Sequence, residues 1–469
     1  MNLEKTLEQN FLTYSAYVIQ RRAIPDARDM LKYTGRQILH AQHREKLDYK
    51  HPFKKSQKSV SAATSFSYVH GGDSAYGQII KMGRPLVQRY FLEEINGNGG
   101  TPAQNDDYSA ERYTEARLSL LGWRMFETID MQTIHMDDWE RTYDEEGLFP
   151  KVLPSVGFYN ICNGSFGSIA PTMISSIPQF NIKDINEAII NLINNPNAEV
   201  NIYPDFASGG ILMNPGTVAQ SLECGEGKSA ILRGKITKHI KEGFLVVSEL
   251  PYGVYTNTVC QEIEKAIEKG ECPITTFKDL SKETVSLKIF AKDLDAAEEW
   301  LYKNTSVQKH FTIKMIMLDE GKTPKLFNLR SALLAHIKHT KQVWKNAIEF
   351  QLQGLKDRED IILGLLKAYS ILDEIVATIK QSKGRADAII QLKSLYQFSE
   401  AQATAIVDLR LHRLSAIDIE ALKEELEKNR KQQEGLVGLL QDELKFNANL
   451  IAPYEDNIKR FADARRTQI

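Results

Sequence analysis

The sequence predicts an α+β protein of several domains. A basic, mostly helical first part precedes a mixed helix-and-strand middle, and long helices at the end pair as antiparallel coiled-coil arms. Three observations carry this. Cations crowd residues 21–58 between short helical patterns. Short β-rich runs alternate with helices from about 145 to 325. From about 327 on, apolar residues recur at helical spacing with few stops. The chain has 469 residues, more than one compact core usually holds, which suits a multidomain layout.

Residues 3–19 read as a helix with Leu3, Leu7, Phe11 and Tyr14 or Ala16 on one side. Ile24-Pro25-Asp26 ends it. A second helix is expected over residues 29–47, a third short one from near Ser56, and a fourth over 74–82 with Asp73 or Ser74 as its N-cap. Short helices with basic residues between them suit a helix-turn-helix or winged-helix domain. Residues 95–102 are a loop by composition, whose glycines either let a backbone approach a phosphate or Tyr113, or make a plain flexible turn. A helix is expected again over 109–125. Strands are expected at 230–232, 244–247, 285–290 and 312–316, with helices at 185–194 and 258–269. In the last part, Leu333, Ile337, Trp344 and Ile348, continued by Leu352, Leu355, Ile361 and Leu365, mark a long arm. Ser382-Lys383-Gly384 interrupts it, a compact helical knot follows at 398–414, and a second arm runs over 417–444. The two arms form an antiparallel pair projecting from the body.

Composition is ordinary for a globular protein, with 42% apolar and 26% charged residues. No apolar run approaches the ~18 residues of a membrane span, and the N-terminus has no signal-peptide core, so the expectation is a cytoplasmic protein without a membrane role. The four cysteines form no CxxC pair, which argues for reduced thiols and against a zinc or redox motif. The net charge is −2, yet residues 21–58 alone carry an excess of about +7. Such a surface is either a nucleic-acid footprint or a solvated charged face, and composition weighs the two evenly.

The sharpest chemistry lies in Ala110-Glu111-Arg112-Tyr113-Thr114-Glu115-Ala116-Arg117-Leu118. A free phenol, with a pKa near ~10, is a poor nucleophile at neutral pH. Adjacent positive charge favours the phenolate, and arginine offers a planar fork of donors to phosphate oxygens as charge builds on them. An Arg-Tyr dipeptide taken alone still reads better as a helix-surface tyrosine.

A family resemblance reverses that reading. Arg112-Tyr113-Thr114-Glu115 resembles the active-site segment of gyrase A and topoisomerase IV A subunits, type IIA DNA topoisomerases whose tyrosine forms a phosphotyrosine link to DNA. Residues 22–32, R-A-I-P-D-A-R-D-M-L-K, look like that family's R-A-L-P-D-x-R-D-G-L-K stretch. His70-Gly71-Gly72-Asp73-Ser74 looks like its H-G-x-x-S segment, Asn163-Gly164-Ser165-Phe166-Gly167 like its N-G-S-x-G turn, and Glu249-Leu250-Pro251-Tyr252 like E-I-P-Y. Residues 401–411 are close to its Q-A-x-A-I-L-D-L-R-L signature. The matches keep family order and span almost the whole chain.

The resemblance implies four regions: an N-terminal helical arm at 1–20, a winged-helix DNA breakage-reunion domain at 21–144, an α/β tower domain at 145–326, and coiled-coil arms with a helical C-gate at 327–469, the globular gate at about 384–416. It implies Tyr113 as nucleophile, Arg112 as its phosphate-stabilising partner, Arg22 in support of the active site, and His70 near the scissile phosphate. Lys32, Arg36 and Ser74 would contact DNA, and Ile169 would be the wedge that bends the duplex. The chain would hold no complete metal site. Mg2+ would be held by the TOPRIM domain of a B-type partner, which would also bind ATP, in an A2B2 assembly around a homodimer on double-stranded DNA, in a bacterial nucleoid or a phage-infected cell. ATP-dependent passage of a second duplex through the break would follow. The chain stops after the second arm, as short phage-type forms do, so relaxation and decatenation are expected rather than negative supercoiling.

The chain departs from the family pattern in three places. Tyr33-Thr34-Gly35 replaces Pro-Val-His after the lysine. Ser168 stands between Gly167 and Ile169, where the family has isoleucine directly after the glycine. Asp73 and Gly77 replace the serine and acid that commonly hold quinolones, which predicts weak quinolone sensitivity. Two rivals are a DNA-binding protein that keeps the fold without catalysis, which the change at Gly35 would favour, and a tyrosine recombinase, which would carry its tyrosine near the C-terminus.

Overall fold

The computed structural model describes residues 3–142, 147–155, 157–408 and 419–469. It divides into two units, one of residues 1–130, 134–342 and 450–469, the other of 131–133 and 343–449. No helix among the described residues is long and apolar enough to cross a membrane.

The first unit begins with helix α1, Leu3–Val18, followed by a π-helical turn, Ile19–Ala23, that ends at Ile24 as the Pro25 position requires. The expected apolar side of α1 stays largely outside the core, with Leu7 and Phe11 exposed, and the Leu3 side chain lies outside the described residues. Helix α2, Tyr33–Arg44, starts four residues later than expected. Asp29 is the reason: its carboxylate accepts the Leu31 N–H at 3.0 Å, a local side-chain-to-backbone bond that competes with helix, and Met30 takes φ +58°. Strand β1, Lys54–Lys55, runs into helix α3, Ser56–Thr64, where the sequence placed it. Helix α4, Gly72–Gly83, is capped by Gly71 and not by Asp73 or Ser74, which fall in its first turn.

The larger correction concerns residues 109–125. They do not form one helix. Ala110 to Tyr113 is a turn, Glu115–Leu118 is a strand, and Leu120–Arg124 is a separate short helix capped by the Ser119 hydroxyl. The physical reason is a period of two. Thr114, Ala116 and Leu118 are fully buried, whereas Glu115 and Arg117 are not, so burial selects the strand over good helix formers. With Glu93–Asn96 as β2 and Glu115–Leu118 as β3, the antiparallel order is β1-β3-β2, and β3 is central. Ile38, Leu39, Val60, Ala63 and Ile79 supply the buried faces of α2, α3 and α4.

Further along, a hairpin pairs Ser165–Ala170 with Met173–Ile177. A four-stranded antiparallel sheet takes the spatial order Lys235–His239, Phe244–Glu249, Leu287–Ala291, Ile274–Asp279. Helices Thr256–Lys269 and Leu294–Asn304 share its core through Val259, Ile263, Ala297 and Leu301 against Leu245, Val247, Leu287 and Ile289. The strand expected at 312–316 is instead split between Gln308–Phe311 and Ile316–Asp319. Lys314 leaves the ladder to exchange backbone bonds with Ser176 in an isolated bridge, which pulls the chain off the strand path.

Residues 450–469, read from the sequence as part of the arms, pack into the first unit. Arg89, fully buried, bonds Asp205 at 2.8 Å and Asp463 at 2.6 Å, and the Asp205 carboxylate also accepts the N–H groups of Arg466 and Thr467. Tyr90 donates to Asp463, and Tyr159 donates to Asn457 at 2.6 Å. His336 contacts the Arg28 carbonyl and the Tyr454 hydroxyl; burial pushes it down to about 3, so it is neutral.

In the second unit, most of the helix Leu329–Ser370 pairs antiparallel with Ile419–Gln441. The register follows from Trp344 to Asn449, Arg430 to Glu359, and Arg358 to Glu425. Leu365, Ile375, Leu392, Phe398, Ala403 and Ile406 form a small helical core. Residues 409–418, including the end of the expected knot, part of the expected gate and the last residues of the 401–411 match, lie outside the described residues, as does the expected boundary near 144.

Candidate active site

Tyr113 is 65% exposed, at the end of a tight turn closed by its own N–H on the Ala110 carbonyl at 2.8 Å. The Arg112 guanidinium lies over its ring, 4.8 Å from the centroid. The next residue anchors the turn. The Thr114 hydroxyl meets Ser56 Oγ at 2.8 Å and Tyr76 Oη at 2.6 Å, and Tyr76 Oη also donates to the Ser109 carbonyl. The Ser56 N–H reaches the Thr114 carbonyl at 3.0 Å. An exposed phenol is thus joined to a buried hydroxyl network by one peptide. Gly97, at φ +101°, passes so close that a Cβ would sit 3.3 Å from the Tyr113 carbonyl. The approach of the glycine loop to Tyr113, one of its two readings, is what the fold uses.

Two further groupings collect other expected residues. His70 and Ser74 meet at the start of α4 through Tyr68, whose ring is 5.4 Å from the His70 ring and whose hydroxyl lies 3.0 Å from Ser74 Oγ. Since Tyr76 belongs to α4 too, the helix that carries this pair also braces the Tyr113 turn. Arg22 and Ile169 are brought together differently. Ala23 and Ala170 share a small core with Ile24 and Leu318, so the turn carrying Arg22 packs on the hairpin carrying Ile169. Arg22 is exposed, whereas its neighbour Arg21 is tied to Tyr33 at 2.8 Å and Glu140 at 2.6 Å. Tyr33 is one of the departures from the family pattern, and here it bonds Arg21, the neighbour of Arg22, and Glu140.

The residue inserted before Ile169 is absorbed by a bulge between Ser165 and Ser168, with Gly167 at φ +64°. Ser168 turns inward onto Ser165 Oγ at 2.8 Å, and Ile169 emerges 72% exposed.

Lys32 caps the start of α2 and lines a cavity of about 310 Å3 with Lys81, Gly35, Asn160, Asn163 and Tyr252. Burial, and then repulsion from Lys81, lower the Lys32 ammonium to about 8. Arg36 departs from expectation. It is 2% exposed, with Nε and Nη2 on the Asp29 carboxylate at 2.8 and 2.9 Å and a further bond to the Leu31 carbonyl, so its guanidinium faces the interior and not a ligand. Burial alone would raise Asp29, but Arg36 and the N–H groups of Leu31 and Leu153 hold it lowered. Lys54 and Lys55 stay exposed on the edge strand paired with the start of β3.

Sequence reasoning missed Thr114, Tyr76, Tyr68 and Lys81. The alternation Thr114, Ala116, Leu118 was the signal that could have found Thr114; nothing local marks the others. Among the described residues, no group of three or more His, Cys, Asp or Glu could hold a metal ion.

Comparison with known proteins agrees with these features. The chain is 35% identical to the A subunit of DNA topoisomerase 4 from Bacillus subtilis, covering 100% of this chain and 59% of that protein. It is 33% identical to the A subunit of DNA topoisomerase 4 from Staphylococcus epidermidis, over 98% of this chain and 58% of the relative. It is also 33% identical to the A subunit of DNA gyrase from Thermotoga maritima, over 90% of this chain and 54% of the relative. The chain therefore spans between half and two thirds of the length of these relatives. The family model for the A subunits of DNA gyrase and topoisomerase IV matches residues 22–454, and the chain belongs to that family.

Proposed function

We propose that this chain is the DNA-cleaving subunit of a type IIA topoisomerase and that Tyr113 is its nucleophile. The observation that carries the reading is the exposed Tyr113 beside Arg112 on a turn locked by buried Thr114. In this reading Tyr113 Oη bonds to a DNA phosphorus as the bond from phosphorus to the 3′ oxygen breaks. The phenol gives up its proton and the departing 3′ oxygen gains one, while the 5′ phosphate stays on the tyrosine. The ester conserves the bond energy, so the 3′ hydroxyl can reverse the step without external energy. Arg112 steadies the charge on the phosphate oxygens. Arg22 and His70 support the site, Lys32 and Ser74 hold DNA, and Ile169 bends it. Arg36 acts through Asp29, by fixing the loop before α2. Mg2+ and ATP are held by a B-type partner, the metal adding charge neutralisation at the phosphate.

The helices α2 to α4 with their three-stranded sheet are the winged-helix cleavage domain in this reading. Residues 145–326 are the tower, and the antiparallel helices of 343–449 are the arms. Two copies about a two-fold axis cut both strands, and a second duplex passes through the break. The test mixes the chain with a candidate B-type partner, Mg2+, ATP and supercoiled plasmid, and quenches with detergent. Linear DNA carrying protein at both 5′ ends is expected. A folded, DNA-bound complex that yields no covalent product would favour the non-catalytic reading.

A further inference from the structure

The hairpin 165–177 is built inside out. A hairpin at a surface ordinarily turns its polar side chains to water and its apolar ones inward. Here Ser168 and Ser175 are opposite each other and buried, satisfied by Ser165 Oγ and the Ile316 carbonyl. The next pair in the register, Ile169 opposite Ile174, points outward, 72% and 52% exposed. Directly opposed residues of an antiparallel pair stand about 5 Å apart on one face, so the two isoleucines form a single apolar edge. Two β-branched side chains side by side are stiff and present a broader blade than one. Ala170, adjacent to Ile169, packs on Ala23, which places the exposed Arg22 turn against this hairpin. Among the described residues Arg22 has no ion-pair partner. An apolar edge with an unpaired cation beside it is complementary to a base step with its flanking phosphate.

We infer that Ile174 is a second wedge residue, entering the bent duplex beside Ile169 while Arg22 holds the adjacent backbone. This rests on the proposed function but adds a DNA-contacting residue. Beyond the bulge between Ser165 and Ser168, Ile169 is in register with Ile174.

The test uses the full chain with Tyr113→Phe, a B-type partner, Mg2+ and a short duplex labelled at both ends, reading binding by anisotropy and bending by energy transfer. Ile174→Thr keeps the β-branched strand residue and removes the apolar tip; Ile169→Thr is its counterpart, and both variants should unfold at the parent temperature. Each single variant should shift the bent fraction about tenfold toward straight DNA, as expected for withdrawing a few methylene-sized groups from the stack, and the double variant should abolish bending. Bending by Ile174→Thr equal to the parent would overturn the inference while leaving the cleavage reading intact. A parent complex, with partner and Mg2+, that does not bind the duplex would overturn that reading itself. If Ile174→Thr changes the sedimenting mass and not the bend, the edge is covered by protein and the inference is likewise overturned.

Discussion

Two kinds of arginine separate the working surface of this protein from its frame. Arg22 and Arg112 are exposed, and Arg112 has a tyrosine ring for a neighbour. Arg36 and Arg89 are buried, each gripped through two or more nitrogens by carboxylates from distant parts of the chain or a nearby loop. Among the described residues the first pair has no side-chain hydrogen bond or ion pair, which in the proposed reading leaves its donors to phosphate. The second has exhausted them, and its charges stabilise only while their partners remain. Nothing in the residues around them marks which arginine is buried, so sequence alone does not distinguish them. Burial does.

The comparison is broken most forcefully at Arg89. Arg89→Ala leaves buried Asp205 without its cation and Asp463 with only the longer Arg466 contact, and should cost about 3–5 kcal/mol, read by denaturant unfolding. An effect below about 1 kcal/mol would mean the ionic knot is not structural. Arg36→Ala should cost about 3 kcal/mol for the same reason and leave the salt slope of DNA binding unchanged.

Glu93 is the contrasting case of a buried carboxyl with no arginine. Burial raises it to about 8, with Gln42 Nε2 its bond partner at 3.1 Å. The folded state then keeps a proton between the usual carboxylate range and about 8 that the unfolded chain releases. Stability should therefore fall as pH rises through that window, and Glu93→Gln should flatten the slope. A parent whose stability climbs over the same range relative to the Gln variant would show that Glu93 is ionised in the fold.

Smaller effects sharpen the surface side. Thr114→Val removes the hydroxyl shared by Ser56 and Tyr76 and should cost about 1–2 kcal/mol, with a larger fractional loss in covalent complex than in DNA affinity. Lys55→Ala should leave unfolding untouched and lower the salt slope by about one. Quinolones should trap few cleavage complexes, because Asp73 and Gly77 lack the expected drug anchors; efficient trapping at ordinary concentrations would contradict this.

Much of the fold was legible where one period dominated. The strands Ala230–Arg233 and Phe244–Glu249 and the long helices of the arms lie where apolar runs and apolar spacing placed them. The Tyr113 segment was not, because Ala110, Glu111, Ala116, Arg117 and Leu118 are good helix formers. Only tertiary burial of Thr114, Ala116 and Leu118 makes it a strand behind a turn. The return of residues 450–469 rests on Arg89 and Tyr159, hundreds of positions away, which no local pattern reports. At the site, motif resemblance singled out Tyr113, Arg112 and Arg22, but it could not see that Arg36 spends its donors on Asp29 or that Ser168 folds into a bulge.

The most direct test of the central claim is to identify the linked atom. The chain, with partner, Mg2+ and plasmid, is trapped in detergent, the DNA is digested with nuclease, and tryptic peptides are analysed by mass spectrometry. The account predicts a nucleotide on the peptide containing Tyr113, joined through its 5′ phosphate, and none when Tyr113→Phe is used. A nucleotide on Tyr108 or any other residue, or one that persists in the Tyr113→Phe chain, would contradict it.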